Sequence, residues 1–346
     1  MMKIGILTWF FADNYGARAQ CYAMQQTLKT MSHDVYMINY IPPHCELLNI
    51  KMCINHPGIK LNPIYLLRDY QRHLRLKKDL SLYRVTDRIT SGNDINRMNF
   101  DCVVLGSDAI FNLNHPMSDE MYYGVGINCK KITYSPSCEY MDVNTRLSEA
   151  CVNSLNSMIP ISVRDDNTKS LLENNGISDV TLTLDPTLLY DFSNLILKIN
   201  ETEYILVYTF SSWDEYAEIF RQFAELKHLK IISIGKICSW ADKNYDRIDL
   251  KTWVSFFRQA SYVITDSYHG LIFTIKNNKE FILLSRNDKI DKINSLLRQF
   301  SITREPMTTK TDLHYYLRDM IDYRAVNEII TELRKNCIKY IEAKLN

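Results

Sequence analysis

The strongest constraint on the fold is a strand–turn–helix–strand pattern in residues 261–284, SYVITDSYHGLIFTIKNNKEFILL. The β-branched run YVIT is followed by the polar and small residues DSYHG, then by an apolar helical run and the apolar strand FILL. This order is typical of an open parallel α/β sheet, in which the turn after a strand faces the ligand crevice and the next helix offers backbone N–H groups to anions. The sequence therefore predicts a ligand site at this turn.

His269 lies in that turn, close to Asp266 and Ser267. A histidine titrates near neutral pH and can both give and take a proton. A single histidine is commonly a structural residue, but the polar neighbours and the position at a strand end favour a catalytic role. Asp266 is predicted to cap the helix that follows, and the alternative is that it orients His269 or binds hydroxyls of a substrate.

The same order of strand, polar turn and helix recurs along the chain. Polar residues follow the predicted strands at one rim: Asn14, Ser107, Asp108, Ser135, Ser137, Arg164 and Asp185. A polar stretch without periodicity at 194–203 precedes a second series of strands and helices. The sequence thus predicts an α/β protein of two doubly wound Rossmann-like domains that face each other across a cleft. Their predicted bounds are 1–195 and 196–346, and the terminal helix is expected to pack back on the N-terminal domain.

Residues 41–99 interrupt this alternation of strands and helices and are predicted to be a variable insertion. Within them, residues 66–88 are predicted to form one amphipathic helix with an excess of basic side chains. The simplest interpretation is a helix with a solvated charged face. The alternative is a basic arm that contacts a lipid-linked anionic acceptor or the membrane surface.

Composition excludes several classes of protein. The 41 basic and 40 acidic residues give no overall attraction to nucleic acid. The nine cysteines form no C-x-x-C pair and no Cys/His cluster, which indicates reduced thiols and no metal site. The first residues are expected to form a strand and not a signal peptide, and no apolar run reaches the roughly 18 residues of a membrane span. A cytoplasmic protein is expected, peripheral at the inner face of the membrane if 66–88 is a membrane arm.

Motifs distributed over about residues 3–300 resemble the polysaccharide pyruvyl transferase family. In the order of that family they are GILTWF with NYGA, VLGSD with FN after it, YSPS, ISVRD, LDPTLL and TDSYHG. The resemblance implies a fold like the two-domain GT-B glycosyltransferases. It also implies transfer of the pyruvyl group of phosphoenolpyruvate onto a sugar as a ketal, in the synthesis of a surface polysaccharide or glycan, with no metal or other cofactor.

The resemblance also assigns roles to single residues. The histidine of the D-x-x-H-G turn is His269, and the arginine that ends the ISVR strand is Arg164. Well-studied members have an arginine two residues before the histidine, where this chain has Ser267, so another cation is expected to hold the anionic donor. The nearest candidates are Lys236, Arg286 and Lys289.

Phosphoenolpyruvate carries a carboxylate and a phosphate, so its pocket needs fixed cations and helix N-termini. The predicted donor-binding residues are Arg164, Ser267, Gly270 and Arg286. For Arg164 the alternative is a structural salt bridge to a neighbouring aspartate.

The predicted catalytic residues are His269 and Asp108. His269 would protonate the enol ether or take the proton of the attacking hydroxyl, and Asp108 would orient His269 or bind acceptor hydroxyls. The acceptor, a sugar or a lipid-linked oligosaccharide, is expected on the N-terminal domain and the donor on the C-terminal one. The predicted acceptor contacts are Trp9, Asn14, Tyr15, Gly16 and Ser137.

Two other functions fit parts of the pattern. A nucleotide-sugar glycosyltransferase of the same architecture would also hold an anionic donor at a helix N-terminus. A non-catalytic carbohydrate-binding relative would explain why Ser267 stands where the family has an arginine. Product analysis separates the two enzymes, because one releases phosphate and the other a nucleotide.

Overall fold

The computed structural model describes residues 1–45, 63–285, 290–307, 316 and 320–346. Contacts divide the chain into two compact units. The first unit comprises Met1–Tyr70, Lys77–Tyr190 and Thr331–Asn346, and the second comprises Gln71–Leu76 and Asp191–Ile330. Each unit has its own five-stranded parallel sheet, which confirms the predicted α/β class with two Rossmann-like units.

The sheet of the first unit contains β1 (Lys3–Leu7), β2 (Asp34–Tyr40), β3 (Val85–Ile89), β4 (Cys102–Leu105) and β5 (Lys130–Thr133). Their order is β3-β2-β1-β4-β5, and all neighbours are parallel. After β1 the chain adds β2 and β3 on one side of it, and then adds β4 and β5 on the other side. The winding direction therefore reverses between β1 and β4. In doubly wound sheets the ligand crevice lies outside the carboxyl ends of the strands at such a point.

The helices of this part of the chain are α1 (Tyr15–Thr30), α2 (Pro63–Lys78), α3 (Gly92–Arg97), α4 (Glu149–Asn156) and α5 (Asp166–Asn174). A short parallel pair, β6 (Ile161–Val163) and β7 (Val180–Leu182), follows β5. Buried side chains connect this pair to the main sheet, because the Ser162 amide donates to Thr133 Oγ1 at 2.9 Å and the Ser162 hydroxyl donates to the Thr133 carbonyl at 3.1 Å.

The prediction of a single helix over 66–88 is wrong in its second half. α2 ends at Lys78, a short 3-10 turn covers Asp79–Leu82, and Val85–Ile89 is the edge strand β3. The run VTDRI is rich in β-branched residues, which favour strands, and the backbone of β2 provides the partner. The strand β3, which lies within the predicted insertion 41–99, therefore belongs to the five-stranded sheet of the first unit.

The second unit repeats the winding of the first. Its strands are β8 (Tyr204–Tyr208), β9 (Lys230–Ile234), β10 (Lys243–Tyr245), β11 (Tyr262–Thr265) and β12 (Glu280–Leu283), in the order β10-β9-β8-β11-β12. Its helices are α6 (Ala217–Lys227), α7 (Leu250–Gln259), α8 (Tyr268–Lys276) and α9 (Ile290–Gln299). The winding reverses between β8 and β11, so the turn after β11 lies at the switch point of this sheet.

The last helix, α10 (Tyr323–Leu345), belongs to both units, with the division at Thr331. Within the first unit, Arg334 Nε donates to the Leu188 carbonyl at 2.8 Å and Tyr340 Oη donates to the Pro160 carbonyl at 3.0 Å. Ile341 is fully buried. In the part of the chain that the structure describes, no helix is both long and apolar enough to cross a membrane.

Candidate functional site

The loop after β1 is held in place by the helix that follows it. Asn14 is the N-cap of α1, and its side-chain oxygen accepts from the Ala17 amide at 3.1 Å. Arg18, only 1% exposed, donates from Nε to the Ala12 carbonyl at 2.8 Å and from Nη2 to the Phe11 carbonyl at 3.4 Å. Tyr15 is buried in the first turn of α1. Asn14, Tyr15 and Gly16 thus lie at the switch point of the first sheet, as their position after β1 predicts.

The turn after β4 lies beside this loop. Asp108 has a positive φ of 77°, and its carbonyl accepts from the Ser137 amide at 2.8 Å. Gly106 has φ +123°, and a Cβ there would clash with the Tyr134 carbonyl oxygen, so only glycine fits. Gln20 of α1 connects both turns, because it donates to Thr8 Oγ1 and accepts from the Ser107 amide, each at 3.3 Å. The sequence gives no local signal for this role of Gln20 beyond its place in the helix that Asn14 begins.

Arg164 follows β6 and is almost completely buried. Its Nη1 lies 3.3 Å from Asp185 Oδ2 and 3.7 Å from Asp108 Oδ1. Asp185 is fully buried and also accepts from the Thr187 amide and hydroxyl, at 3.0 and 2.7 Å. The structure therefore brings the predicted residues Arg164 and Asp108 together. The salt bridge to Asp185 that was the structural alternative for Arg164 is present as well.

Ser137 lies next to this cluster. Its hydroxyl donates to Asp165 Oδ2 at 2.6 Å and accepts from the Glu139 amide at 2.9 Å. Asp165 in turn caps α5 by accepting from the Thr168 amide. Burial, and then the charge of Asp165, raise the pKa of the neighbouring Cys138 thiol to about 12, so that this thiol stays protonated near neutral pH and is a poor nucleophile.

The Trp9 ring is buried against other rings and not open at the surface. Its centroid lies 4.4 Å from that of His115 at an interplanar angle of 33°, and 6.2 Å from that of Tyr122. His115 was missed by the sequence reasoning, because it lies in an irregular segment after Asp108 and only the tertiary structure brings it beside Trp9. Its Nδ1 accepts from the Met117 amide at 3.1 Å.

In the second unit, Ser267 is the N-cap of α8. Its side chain accepts from the Gly270 amide at 3.2 Å, and its own amide donates to Thr265 Oγ1 at 3.1 Å. A Cβ at Gly270 would clash with Thr265 Oγ1 and lie 3.0 Å from the Tyr208 ring. The close approach of α8 to the ends of β8 and β11 therefore requires glycine at this position.

The prediction that Asp266 caps this helix is wrong, since Ser267 does so. The Asp266 carboxylate instead holds the loop after β8, where it accepts from the Phe210 amide at 2.8 Å, the Ser211 amide at 3.2 Å and Trp213 Nε1 at 2.9 Å. His269 is the second residue of α8 and 8% exposed, and its ring lies edge-on to that of Tyr268 at 5.5 Å. The histidine is thus fixed at the switch point of the second sheet.

Two cations lie close to this turn. Lys236 Nζ donates to the Phe210 carbonyl at 2.9 Å, in the loop that Asp266 holds. Lys292 of α9, which the sequence reasoning did not select, has its Nζ 5.9 Å from the Tyr268 ring centroid. Arg286 and Lys289, the other predicted donor-binding cations, lie outside the described residues. Near the start of α8 the described residues thus include these two lysines and the Asp266 carboxylate.

The predicted site residues thus form one group in each unit. Asn14, Asp108, Ser137 and Arg164 lie around the carboxyl edge of the first sheet, and Ser267, His269 and Gly270 lie at that of the second. The described residues contain no cluster of three His, Cys, Asp or Glu side chains that could hold a metal ion.

Solved structures with the same fold include one described as a UDP-N-acetylglucosamine 2-epimerase from Listeria monocytogenes. It has 10% sequence identity and a TM-score of 0.52, and the match covers 96% of this chain and 90% of that chain. The glycosyltransferase SnogD from Streptomyces nogalater has 10% identity and a TM-score of 0.47, with 100% of both chains covered. At such identity the similarity to the epimerase structure concerns the fold alone.

Comparison of sequences leads to a family. None of the curated proteins matches the chain significantly. The family model described as polysaccharide pyruvyl transferase matches residues 14–288, which include Asn14 with helix α1, the Arg164 cluster and the turn that contains His269. This match spans well over half of the chain and agrees with the resemblance of the motifs. The chain therefore belongs to the polysaccharide pyruvyl transferase family.

Proposed function

We propose that this protein transfers the pyruvyl group of phosphoenolpyruvate onto two hydroxyls of a sugar as a ketal, in the synthesis of a surface polysaccharide or glycan. The observation that carries the proposal is the position of His269, in the first turn of α8 at the switch point of the second sheet. A helix N-terminus with nearby lysines suits a donor that carries both a phosphate and a carboxylate. No metal or other cofactor is part of the proposal.

The reaction forms two bonds between the central carbon of the donor and the two sugar oxygens. It breaks the bond between that carbon and the phosphate oxygen. Of the two hydroxyl protons, one ends on the methylene carbon, which becomes a methyl group, and the other leaves with the phosphate. His269 is proposed to carry one of these protons, because an imidazole can act as acid and base in turn.

The donor is proposed to bind in the second unit, at Ser267, Gly270 and the nearby Lys236 and Lys292. Arg164 and Arg286 remain predicted donor contacts. The acceptor is proposed to bind at the carboxyl edge of the first sheet, where Asp108 and Ser137 carry polar groups. The predicted acceptor contacts there also include Trp9, Asn14, Tyr15 and Gly16. If the acceptor is a lipid-linked oligosaccharide, the reaction takes place at the inner, cytoplasmic face of a membrane.

The test is phosphate release from phosphoenolpyruvate with a panel of galactose, mannose, glucose and N-acetylhexosamine acceptors. Release that depends on the acceptor is expected for the wild type. His269→Ala is expected to lower the rate at least about 100-fold, because general acid–base catalysis contributes about 10²–10⁴-fold. His228→Ala is the matched control, since His228 is an exposed histidine at the end of α6 and is expected to have no effect.

If no phosphate is released, calorimetry on the same samples measures whether the protein binds phosphoenolpyruvate. Binding of phosphoenolpyruvate without turnover would mean that the acceptor panel lacks the right sugar. Failure to bind phosphoenolpyruvate would contradict the proposal. A glycosidic product with nucleotide release from a nucleotide sugar would then establish the glycosyltransferase.

A further inference from the structure

α2 presents an apolar stripe to solvent instead of burying it. Leu67, Tyr70 and Leu74 are 57%, 56% and 40% exposed. Because a helix turns by about 100° per residue, positions 67, 70 and 74 share one side, and Leu76, which is fully buried, lies on the opposite side. Large apolar side chains that are contiguous and exposed mark a surface for interaction.

Basic side chains flank this stripe. Arg75, Lys77 and Lys78 are exposed, and Lys78 lies on the same side as Leu67 and Leu74. The sequence of α2 has one acidic residue, Asp69, against five lysines and arginines, and the next acidic residue, Asp79, is buried. An apolar stripe bordered by positive charge is complementary to an anionic lipid surface, in which the apolar side chains enter the interface and the lysines contact the headgroups.

The middle of α2, next to the stripe, is held by contacts within the second unit. Arg72 Nη1 donates to the Gly235 carbonyl at 3.5 Å, and Gln71 Oε1 accepts from Arg247. Residues 71–76 cluster with that unit. The helix is therefore supported by the folded protein through one side while the stripe stays exposed.

We propose that the exposed face of α2, formed by Leu67, Tyr70, Leu74, Lys77 and Lys78, binds the surface of a membrane with anionic headgroups. The helix lies flat in the interface and does not cross it. This binding does not depend on the proposed reaction, but it would bring a lipid-linked acceptor to the enzyme. The structure thus favours the membrane arm over the simple solvated helix, with the arm limited to the residues before Asp79.

The experiment is flotation of the full-length protein with phosphatidylcholine vesicles that contain or lack phosphatidylglycerol, without any substrate. The wild type is expected to float with the anionic vesicles only, and less at high salt, because screening weakens attraction between exposed charges. Lys77→Gln with Lys78→Gln is expected to weaken binding about 30-fold, since each basic residue contributes about 1 kcal/mol near an anionic surface. Leu67→Ser with Leu74→Ser is expected to weaken it at least about tenfold.

Matched controls distinguish binding by this face from nonspecific binding to vesicles. Leu226→Ser removes a leucine that is also 57% exposed, on α6, and Lys335→Gln with Lys339→Gln removes two exposed lysines of α10. Both controls are expected to bind like the wild type. All the changed side chains are exposed, and an unchanged thermal unfolding curve will verify that the variants fold.

Three outcomes would overturn the proposal. The protein does not float with anionic vesicles, or it floats equally well after the changes in α2, or the controls lose as much binding as the α2 variants. A fourth outcome would replace it: no vesicle binding, with a dimer that the Leu67→Ser and Leu74→Ser changes convert to a monomer, would assign the face to self-association. None of these results bears on phosphate release, so failure here is distinct from failure of the proposed reaction.

Discussion

At the scale of single residues, the charge of Arg164 is offset within the protein. Its guanidinium lies 3.3 Å from Asp185 and 3.7 Å from Asp108, and it is almost inaccessible to solvent. Two carboxylates around one arginine leave this cluster with no excess of positive charge for an anionic donor. The arginine of the ISVR motif is therefore well explained by structure, and its role toward the donor stays a prediction.

Variants of Arg164 and Asp185 can distinguish a structural role of Arg164 from a role in donor binding. Arg164→Gln is expected to lower the free energy of unfolding by about 3–5 kcal/mol, because it leaves the buried Asp185 carboxylate without its cation. Asp185→Asn is expected to lower it by less, because Arg164 keeps Asp108 as a partner at 3.7 Å. The double variant is expected to recover most of that loss, since a neutral amide pair of similar shape needs no counter-charge. Urea denaturation measures both effects. Single variants as stable as the wild type would contradict the structural role of the pair.

The KM for phosphoenolpyruvate of the stable double variant then decides the second role. This KM is expected to be higher than that of the wild type if the guanidinium also binds the donor, as the sequence predicts. It returns to the wild-type value if Arg164 only offsets the charge of Asp185. Asp108→Asn serves as the comparison, because it removes the more distant carboxylate and keeps Arg164.

At the scale of elements, residues 266–270, which join β11 to the first turn of α8, combine three structural functions in five residues. Asp266 holds the loop after β8, Ser267 caps the helix and Gly270 allows close packing. His269 is positioned by this framework. The proposed contact between Ser267 and the donor can be tested by variants at this position that differ only in charge.

Ser267→Asn and Ser267→Asp both keep a good N-cap, whereas Ser267→Ala is expected to lower stability by about 1 kcal/mol. Asn and Asp have the same shape, so they differ only in charge. We expect Ser267→Asp to raise the KM for phosphoenolpyruvate at least about tenfold above that of Ser267→Asn, since an ionised carboxylate repels the phosphate at short range. Steady-state kinetics above pH 7 measure this. Equal KM values would contradict donor binding at the start of α8.

The segment 66–88 shows that a local sequence pattern does not always locate the end of a helix and the start of a strand. Residues 66–78 and the run VTDRI are both amphipathic and charged, and periodicity alone does not locate the boundary between them. The boundary follows from β2, whose free edge pairs with β3 from Met37↔Val85 to Tyr40↔Ile89, with a register shift between Met37 and Asn39. Tertiary pairing therefore decided the secondary structure of VTDRI.

At the scale of the whole molecule, the end of α10 is part of the first unit although it is last in sequence. Cys337 Sγ accepts from the Leu184 amide at 3.3 Å, and Ile341 is fully buried. We expect Ile341→Ala to lower the stability of the first unit by about 2–5 kcal/mol, because a large buried side chain is lost and a cavity remains. Lys339→Ala, an exposed position on the same helix, is the control and is expected to be neutral.

Hydrogen exchange followed by mass spectrometry can localise this effect. Peptides from β1 and β4 are expected to exchange faster in Ile341→Ala, while peptides from β8 and β11 keep their protection, since the units have separate sheets. Equal loss of protection in both sheets would contradict the assignment of this end of α10 to the first unit.

Much of the architecture could be predicted because its signals are local. The run from YVIT through DSYHG to FILL identified β11, α8 and β12. His269, Asp108 and Asn14 were placed at strand ends by the same reasoning. Contacts such as Trp9 with His115 could not be predicted in this way, because they join an ordered strand end to an irregular segment about a hundred residues later in the chain.

The sequence by itself determined the class of fold, the turns that carry polar side chains and the family, since burial periodicity, turn chemistry and motifs act over a few residues. Only the tertiary structure decided which partners those side chains have. The capping of α8 by Ser267, the pairing of Arg164 with Asp185, the place of β3 and the exposed side of α2 depend on which surfaces the folded chain covers. Burial and pairing between distant segments are properties of the packed molecule, and no window of sequence contains them.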